Sequence, residues 1–123
     1  MIKFRAWDKA TSSYRKVLEI EFYPDGELKK VKVAGLQRKG TITPDNLVLE
    51  QFTGLKDVNG KEIYEGDIVK VVYQYWGQLG NRYEVKFKQG AFYVKYGLLS
   101  EISPSISVIG NVHTNPELLE KKK

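Results

Sequence analysis

His113 is the only histidine in a chain of 123 residues, and there is no cysteine. Those two counts exclude His–His metal sites, thiolate nucleophiles, disulfides, iron–sulfur clusters and Cys-based zinc sites. Any acid–base role falls to a solitary imidazole. His113 precedes Thr114-Asn115-Pro116 at an expected strand-to-helix corner, where a structural or solvated ring is the simpler reading. Asp57, Asn59, Glu62, Glu65 and Asp67 form an oxygen-rich cluster that raises the question of a divalent cation. A Ca²⁺ loop needs alternate-residue ligands closed by a distant Glu, and this spacing does not supply them. Turn formation explains Asp57 and Asn59 without a metal. Paired carboxylates for hydrolysis would come from Asp8, Glu19 and Glu21, or from Glu62 with Glu65. Such a pair needs a cleft and a set separation, whereas Glu19 and Glu21 read as the outer face of a strand. No Gly-rich phosphate loop, nucleophile elbow or zincin motif is present. The expectation is a protein that is not an enzyme and takes no metal or cofactor.

Binding has more residues to offer. If Arg82 to Tyr96 is a hairpin turning at Gln89-Gly90, Phe87 faces Phe92, Val85 faces Val94 and Tyr83 faces Tyr96. On the other side Glu84 faces Lys95 and Lys86 faces Tyr93. Arg82, Lys86, Lys88, Tyr93 and Lys95 then share the non-core face, which places cations for phosphates beside a ring on which a base can stack. The alternative is an ordinary solvated strand face. A second group, Tyr73, Tyr75 and Trp76 with Leu79 in the adjoining Gly77-Gln78-Leu79-Gly80, offers large apolar tips on a flexible stem. That composition is enriched at interface anchors.

The chain that must position these residues is 41% apolar and 28% charged, an ordinary globular composition. Its length fits one domain, or two very small subdomains sharing a core. The net charge of +5 is unevenly placed. Lys29, Lys30, Lys32, Arg38 and Lys39 lie in a stretch without an acid, and Lys121, Lys122 and Lys123 form a basic tail. Without these two groups acids outnumber bases, so a diffuse affinity for polyanions is a weak inference. No apolar run approaches the roughly 18–20 residues of a membrane span. Met1-Ile2-Lys3-Phe4-Arg5 has no signal-peptide core.

Alternation and closely spaced turn signals dominate over helical periodicity. Ile2, Phe4 and Ala6 fall on one side of an opening strand, with Trp7 on the other. A second strand, Tyr14 to Tyr23, carries Leu18, Ile20 and Phe22 in phase. Pro24-Asp25-Gly26 is a turn that would set Tyr23 opposite Glu27 and Glu21 opposite Lys29. The returning strand, Glu27 to Val33, has no good core face and reads as an edge or arm guarded by lysines. Thr43-Pro44-Asp45 suits a single helical turn, and Leu47 to Phe52 favours an extended reading. Asn59-Gly60 is the strongest short-range turn signal. Glu65-Gly66-Asp67 launches a strand, Ile68 to Tyr73, whose apolar run implies burial on both faces. Ile106 to Val112 is a strand with a glycine kink, and Asn115-Pro116-Glu117-Leu118-Leu119 opens one or two helical turns.

Three stretches resemble the YopX family, small proteins found mostly in bacteriophages and prophages. They are Ile2-Lys3-Phe4-Arg5-Ala6-Trp7-Asp8, the long run from Gln51 through Thr53-Gly54-Leu55-Lys56-Asp57-Val58-Asn59-Gly60 to Val69, and Val108-Ile109-Gly110-Asn111-Val112 with Asn115-Pro116-Glu117-Leu118-Leu119. They occur in the family's order and span nearly the whole chain. The resemblance implies a phage-associated protein of the bacterial cytoplasm with a mainly β fold and short helical pieces, and it carries no catalytic or binding residues across.

These readings converge on a mainly β fold, α+β at most, of antiparallel hairpins, partly barrel-like, with one or two short helical turns. Residues 1–120 form one domain, with subdomains 1–50 and 51–120 as the alternative, and 121–123 are a basic tail. The expected function is that of a phage or prophage accessory protein, a non-enzymatic, self-associating, macromolecule-binding domain. The alternative is a nucleic-acid-binding module using the hairpin face. The partners to expect are a second copy of the chain, a phage or host protein, or nucleic acid, with no membrane.

Overall fold

Alternating sequences make strands here, and turn residues decide which strands meet. The computed structural model describes residues 3–34 and 40–119. Ile2 of the opening strand, Arg38 and Lys39 of the basic stretch and the Lys121–Lys123 tail lie outside the described residues. The chain divides into two compact units between Gln51 and Phe52.

The first unit contains β1 (Phe4–Asp8), β2 (Ser13–Phe22), β3 (Leu28–Val33), β4 (Gly40–Ile42), a 3-10 turn at Pro44–Asn46 and the leading part of β5 (Leu47–Lys56). The strands are antiparallel in the order β4-β3-β2-β1-β5. Ala6, Val31, Val33, Ile42 and Leu47 form the core, and Val17, Ile20, Leu28 and Leu49 pack against it. The turn Pro24-Asp25-Gly26 forms as expected. The Tyr23 N–H donates to the Glu27 carbonyl at 2.8 Å, and Gly26 takes a φ of 93° that glycine alone adopts freely.

Two irregularities alter the expected phase. Val17 pairs with Val33 and Glu19 with Lys32, so Leu18 is an extra residue; Glu21 pairs with Lys30 and Phe22 with Leu28, so Lys29 is another. Each bulge inverts the alternation beyond it. Leu18 is therefore 54% exposed while Val17 and Ile20 face the core; Phe22, the last residue of β2, is 56% exposed. Glu21 stands opposite Lys30 rather than Lys29, yet its carboxylate meets both ammonium groups, at 3.0 Å for Lys29 and 3.6 Å for Lys30. Nor is β3 an edge. The three-residue β4 covers it, and Val31 and Val33 are buried as a result.

The second unit begins where the far end of β5 pairs with β6 (Glu62–Tyr64). It continues through β7 (Asp67–Val71), β8 (Arg82–Glu84), β9 (Lys86–Lys88), β10 (Ala91–Val94), β11 (Gly97–Leu98), α1 (Leu99–Ile102), a 3-10 turn at Ser103–Ser105, β12 (Ile106–Asn111) and a final 3-10 turn at Pro116–Leu119. Two three-stranded antiparallel ladders result, β12-β7-β8 and β11-β10-β9. Central β7 buries Ile68, Val69 and Val71 completely, as its apolar run implies, but the burial stops there and Val72 and Tyr73 are exposed. The Leu99–Ser105 helical turns have no counterpart in the sequence reading. Their purpose is packing: Leu99 and Ile102, one turn apart, are buried with Val69, Val85, Val94 and Ile106.

Val85 separates the two ladders. Its N–H donates to the Asp67 carbonyl and its own carbonyl accepts from the Gly66 N–H, both at 2.9 Å. That diverts the backbone from the hairpin to the start of β7. The expected hairpin register holds for Phe87–Phe92 and Lys86–Tyr93 and ends there as a ladder. Because strands are shared out in this way, no strand order closes on itself among the described residues and no closed barrel forms. The glycine kink in β12 is a packing requirement. A Cβ at Gly110 would lie 2.5 Å from Asn115 Oδ1, the atom that accepts the Asn111 N–H at 3.3 Å.

Candidate nucleic-acid interface

Gln89 and Gly90 have φ of 50° and 82°, both positive as a type I′ turn demands, and they join β9 to β10. The register places Phe87 against Phe92 on one face, with ring centroids 4.9 Å apart. Lys86, opposite Tyr93, and Lys88, opposite Ala91, occupy the other face, and Lys95 follows in the turn between β10 and β11. Arg82 comes from β8. All five residues expected to bind nucleic acid line one groove of about 1200 Å³. Among the described residues its only acidic lining residue is Glu84, and the final 3-10 turn supplies the apolar Leu118 and Leu119.

Electrostatically the four cations are uncommitted. Among the described residues, no ion pair involves Arg82, Lys86, Lys88 or Lys95, in contrast to Lys29 and Lys30, which Glu21 engages. Three tyrosines line the groove in different states. Tyr83 is buried; its hydroxyl donates to Gln78 Oε1 at 2.8 Å and accepts from Asn81 Nδ2 at 2.9 Å. Tyr96 is exposed, edge-on to Tyr83 at 6.0 Å and covered by the Lys95 ammonium at 5.1 Å. Tyr93 is half-buried, and neither its ring nor its hydroxyl has a side-chain partner among the described residues. The contributions of Tyr83, Tyr96, Leu118 and Leu119 are absent from the sequence reading. Only the Tyr83–Tyr96 facing hinted at one of them.

The apolar loop divides. Tyr73, Trp76 and Leu79 are exposed, while Tyr75 turns inward against the second unit's core. Trp76 is 86% exposed on a backbone with φ of 47°, a conformation that costs a bulky residue on the order of 1 kcal/mol.

Of the carboxylates weighed as catalytic or metal-ligating groups, Asp57, Asp67 and Asp8 are occupied structurally. Asp57 Oδ1 accepts the Asn59 and Lys61 N–H groups at 2.8 and 2.9 Å, and Oδ2 accepts the Val108 N–H at 2.8 Å. Burial pushes its carboxyl up, but the Val108, Lys61 and Asn59 donors outweigh this and hold it below the ordinary aspartate value. Asp67 Oδ2 accepts the Tyr64 N–H at 2.8 Å. Burial also raises Asp8, and Thr11, the Ala10 N–H and Arg15 bring it down below the usual range. Buried Glu50 receives the Arg5 Nε and the Tyr14 hydroxyl, both at 2.9 Å. No group of three or more acidic or histidine side chains among the described residues is arranged to hold a metal ion. His113 lies in the turn after β12, where its N–H donates to Asn111 Oδ1 at 3.0 Å.

No described helix is long and apolar enough to cross a membrane. Nothing among curated proteins matches the chain. A crystal structure of protein EF1440 from Enterococcus faecalis is similar over 98% of this chain and 99% of that chain, with a TM-score of 0.74 and 26% identity. The family model described as YopX protein matches residues 3–120, which takes in the turn that Asp57 locks, the β9–β10 hairpin and the groove; the chain belongs to the YopX family.

Proposed function

We propose that this chain is a non-enzymatic binding domain that holds nucleic acid in the groove lined by β8 and the β9–β10 hairpin. One observation carries the reading: Arg82, Lys86, Lys88 and Lys95, all without ion pairs among the described residues, line the same groove as the unpartnered ring of Tyr93. Cations of this kind bind phosphates by releasing condensed counterions, and an aromatic ring among them adds a contact that phosphate-only sites lack. The non-enzymatic part is supported by the carboxylates, which accept backbone N–H groups or ion pairs instead of facing a cleft in pairs. The setting we infer from the family is the bacterial cytoplasm, in the service of a phage or prophage.

Fluorescence anisotropy of a labelled oligonucleotide across a salt series tests this. Four phosphate contacts predict that log K falls against log salt with a slope of about −3. No binding at low salt, or binding indifferent to salt, would reject the reading.

A second reading, self-association, is favoured by Trp76. The loop that carries it is tied down: the Gln78 N–H donates to the Tyr75 carbonyl, the Val72 and Tyr73 N–H groups to Ser105, and the Gly80 N–H to Val71. It therefore presents Tyr73, Trp76 and Leu79 from a held backbone, as interface anchors are presented. Light scattering at micromolar concentration is expected to give a multiple of 14.1 kDa, with Trp76→Ser returning the monomer mass. A monomeric wild type removes this reading and leaves the groove untouched.

A further inference from the structure

We infer that the groove takes an unpaired strand, and that Tyr93 is the platform on which one of its bases stacks. This rests on the nucleic-acid reading and goes beyond it, because cations alone serve duplex and single strand alike.

Tyr93 is the groove's one tyrosine with nothing else to do. Tyr83 is buried and fixed by hydrogen bonds from both directions, and Tyr96 is engaged by Tyr83 and Lys95. Tyr93 is held on both sides through its backbone: β10 pairs it with Lys86 on β9 and with Leu98 on β11. Two strands thus position the ring, while no ring, cation or hydrogen-bond partner among the described residues occupies the side chain. Its register partner Lys86 shares the groove with it, and so does Lys95 from the turn that follows β10. A strand whose phosphates run along Lys86, Lys88 and Lys95 brings its bases to that ring. In a duplex the base faces are already stacked on one another and unavailable, so only an unpaired base gains from the phenol. Leu118 and Leu119 add an apolar part to the groove lining, suited to a base rather than a phosphate.

The test compares four labelled probes on the wild type: oligothymidine and oligouridine of about 12 nucleotides, a length within the site sizes of such grooves, an abasic strand of equal length, and a duplex. Both base-bearing strands are expected to bind about tenfold more tightly than the abasic strand. Tyr93→Leu should weaken oligothymidine by about tenfold, leave the salt slope unchanged and barely affect the abasic strand, whereas Tyr93→Phe should stay within about twofold of wild type. The abasic comparison needs no variant, so a folding defect in Tyr93→Leu cannot obscure it. Equal affinity for abasic, duplex and base-bearing probes would overturn the stacking inference while leaving salt-dependent nucleic-acid binding intact. If none of the probes binds at low salt, both the inference and the function beneath it fail.

Discussion

Asp57→Ala is expected to lower the unfolding free energy by about 2–4 kcal/mol, because it removes a buried carboxylate that three backbone N–H groups share. One carboxylate organises a turn and ties it to a strand fifty-one positions away. Oδ1 closes the Asp57–Lys61 loop through two N–H groups, and the Lys61 carbonyl accepts the Asp57 N–H in return. Oδ2 takes the Val108 N–H of β12, the Val58 N–H donates to the Ile106 carbonyl, and Asn59 Nδ2 donates to Ser107 Oγ at 3.1 Å. Alanine deletes three acceptor contacts together. Water can replace those of the exposed Asn59 and Lys61 amides, but the half-buried Val108 donor is harder to satisfy. Chemical denaturation gives the free energy, and amide exchange should show Val108 losing protection first. An unchanged midpoint with normal Val108 protection would refute the assignment.

The same site fixes a pH dependence. Asp57's carboxyl lies below its unfolded value of 3.8 when the chain is folded, so the unfolded state binds the proton more readily. Its contribution to stability is therefore complete above about pH 4–5 and is withdrawn as the pH falls through the folded value. Asp8, shifted in the same direction, adds to the acid limb of the wild type. Asp57→Ala should retain only the part that other groups supply, so the two curves converge as the pH drops.

Local chemistry made a good deal of this readable in advance. Pro24-Asp25-Gly26, Asn59-Gly60 and Gln89-Gly90 each specify a turn through residues that set φ, and the Phe87–Phe92 register followed from the last of them. Alternation put Lys86, Lys88 and Tyr93 on one face of the hairpin, as the register has them. What resisted reading were events that alternation cannot encode. The bulges at Leu18 and Lys29 reverse the phase of β2 and β3, and nothing in Lys-Val-Leu-Glu announces an extra residue. Val85 leaves its hairpin because Gly66 and Asp67 offer backbone partners, which is a tertiary choice. Leu99-Ser100-Glu101-Ile102 is too short to show a helical period, and its helical turns exist because Leu99 and Ile102 fill the core. Leu118 and Leu119 reach the groove only through the placement of the last 3-10 turn.

The double variant Lys86→Glu with Lys88→Glu is expected to weaken oligonucleotide binding roughly hundredfold at about 0.1 M salt, near 2.7 kcal/mol. Both side chains are exposed and unpaired, so the fold should lose little by the change. Two phosphate contacts disappear, which should reduce the magnitude of the salt slope by about 1.4. Two carboxylates then join Glu84 in the groove and repel the strand. Lys29→Glu with Lys30→Glu is the matched control: it makes the same change in net charge, at residues that engage Glu21 and do not line the groove. A bare net-charge effect would weaken binding equally in both variants, since it depends on the sum of charges and not on their placement. A groove-specific contact predicts a large loss in the first and a small one in the second, because only the first pair lines the groove. Equal losses would mean that the oligonucleotide responds to the overall charge of +5, and the groove these cations share with Tyr93 would then carry no function.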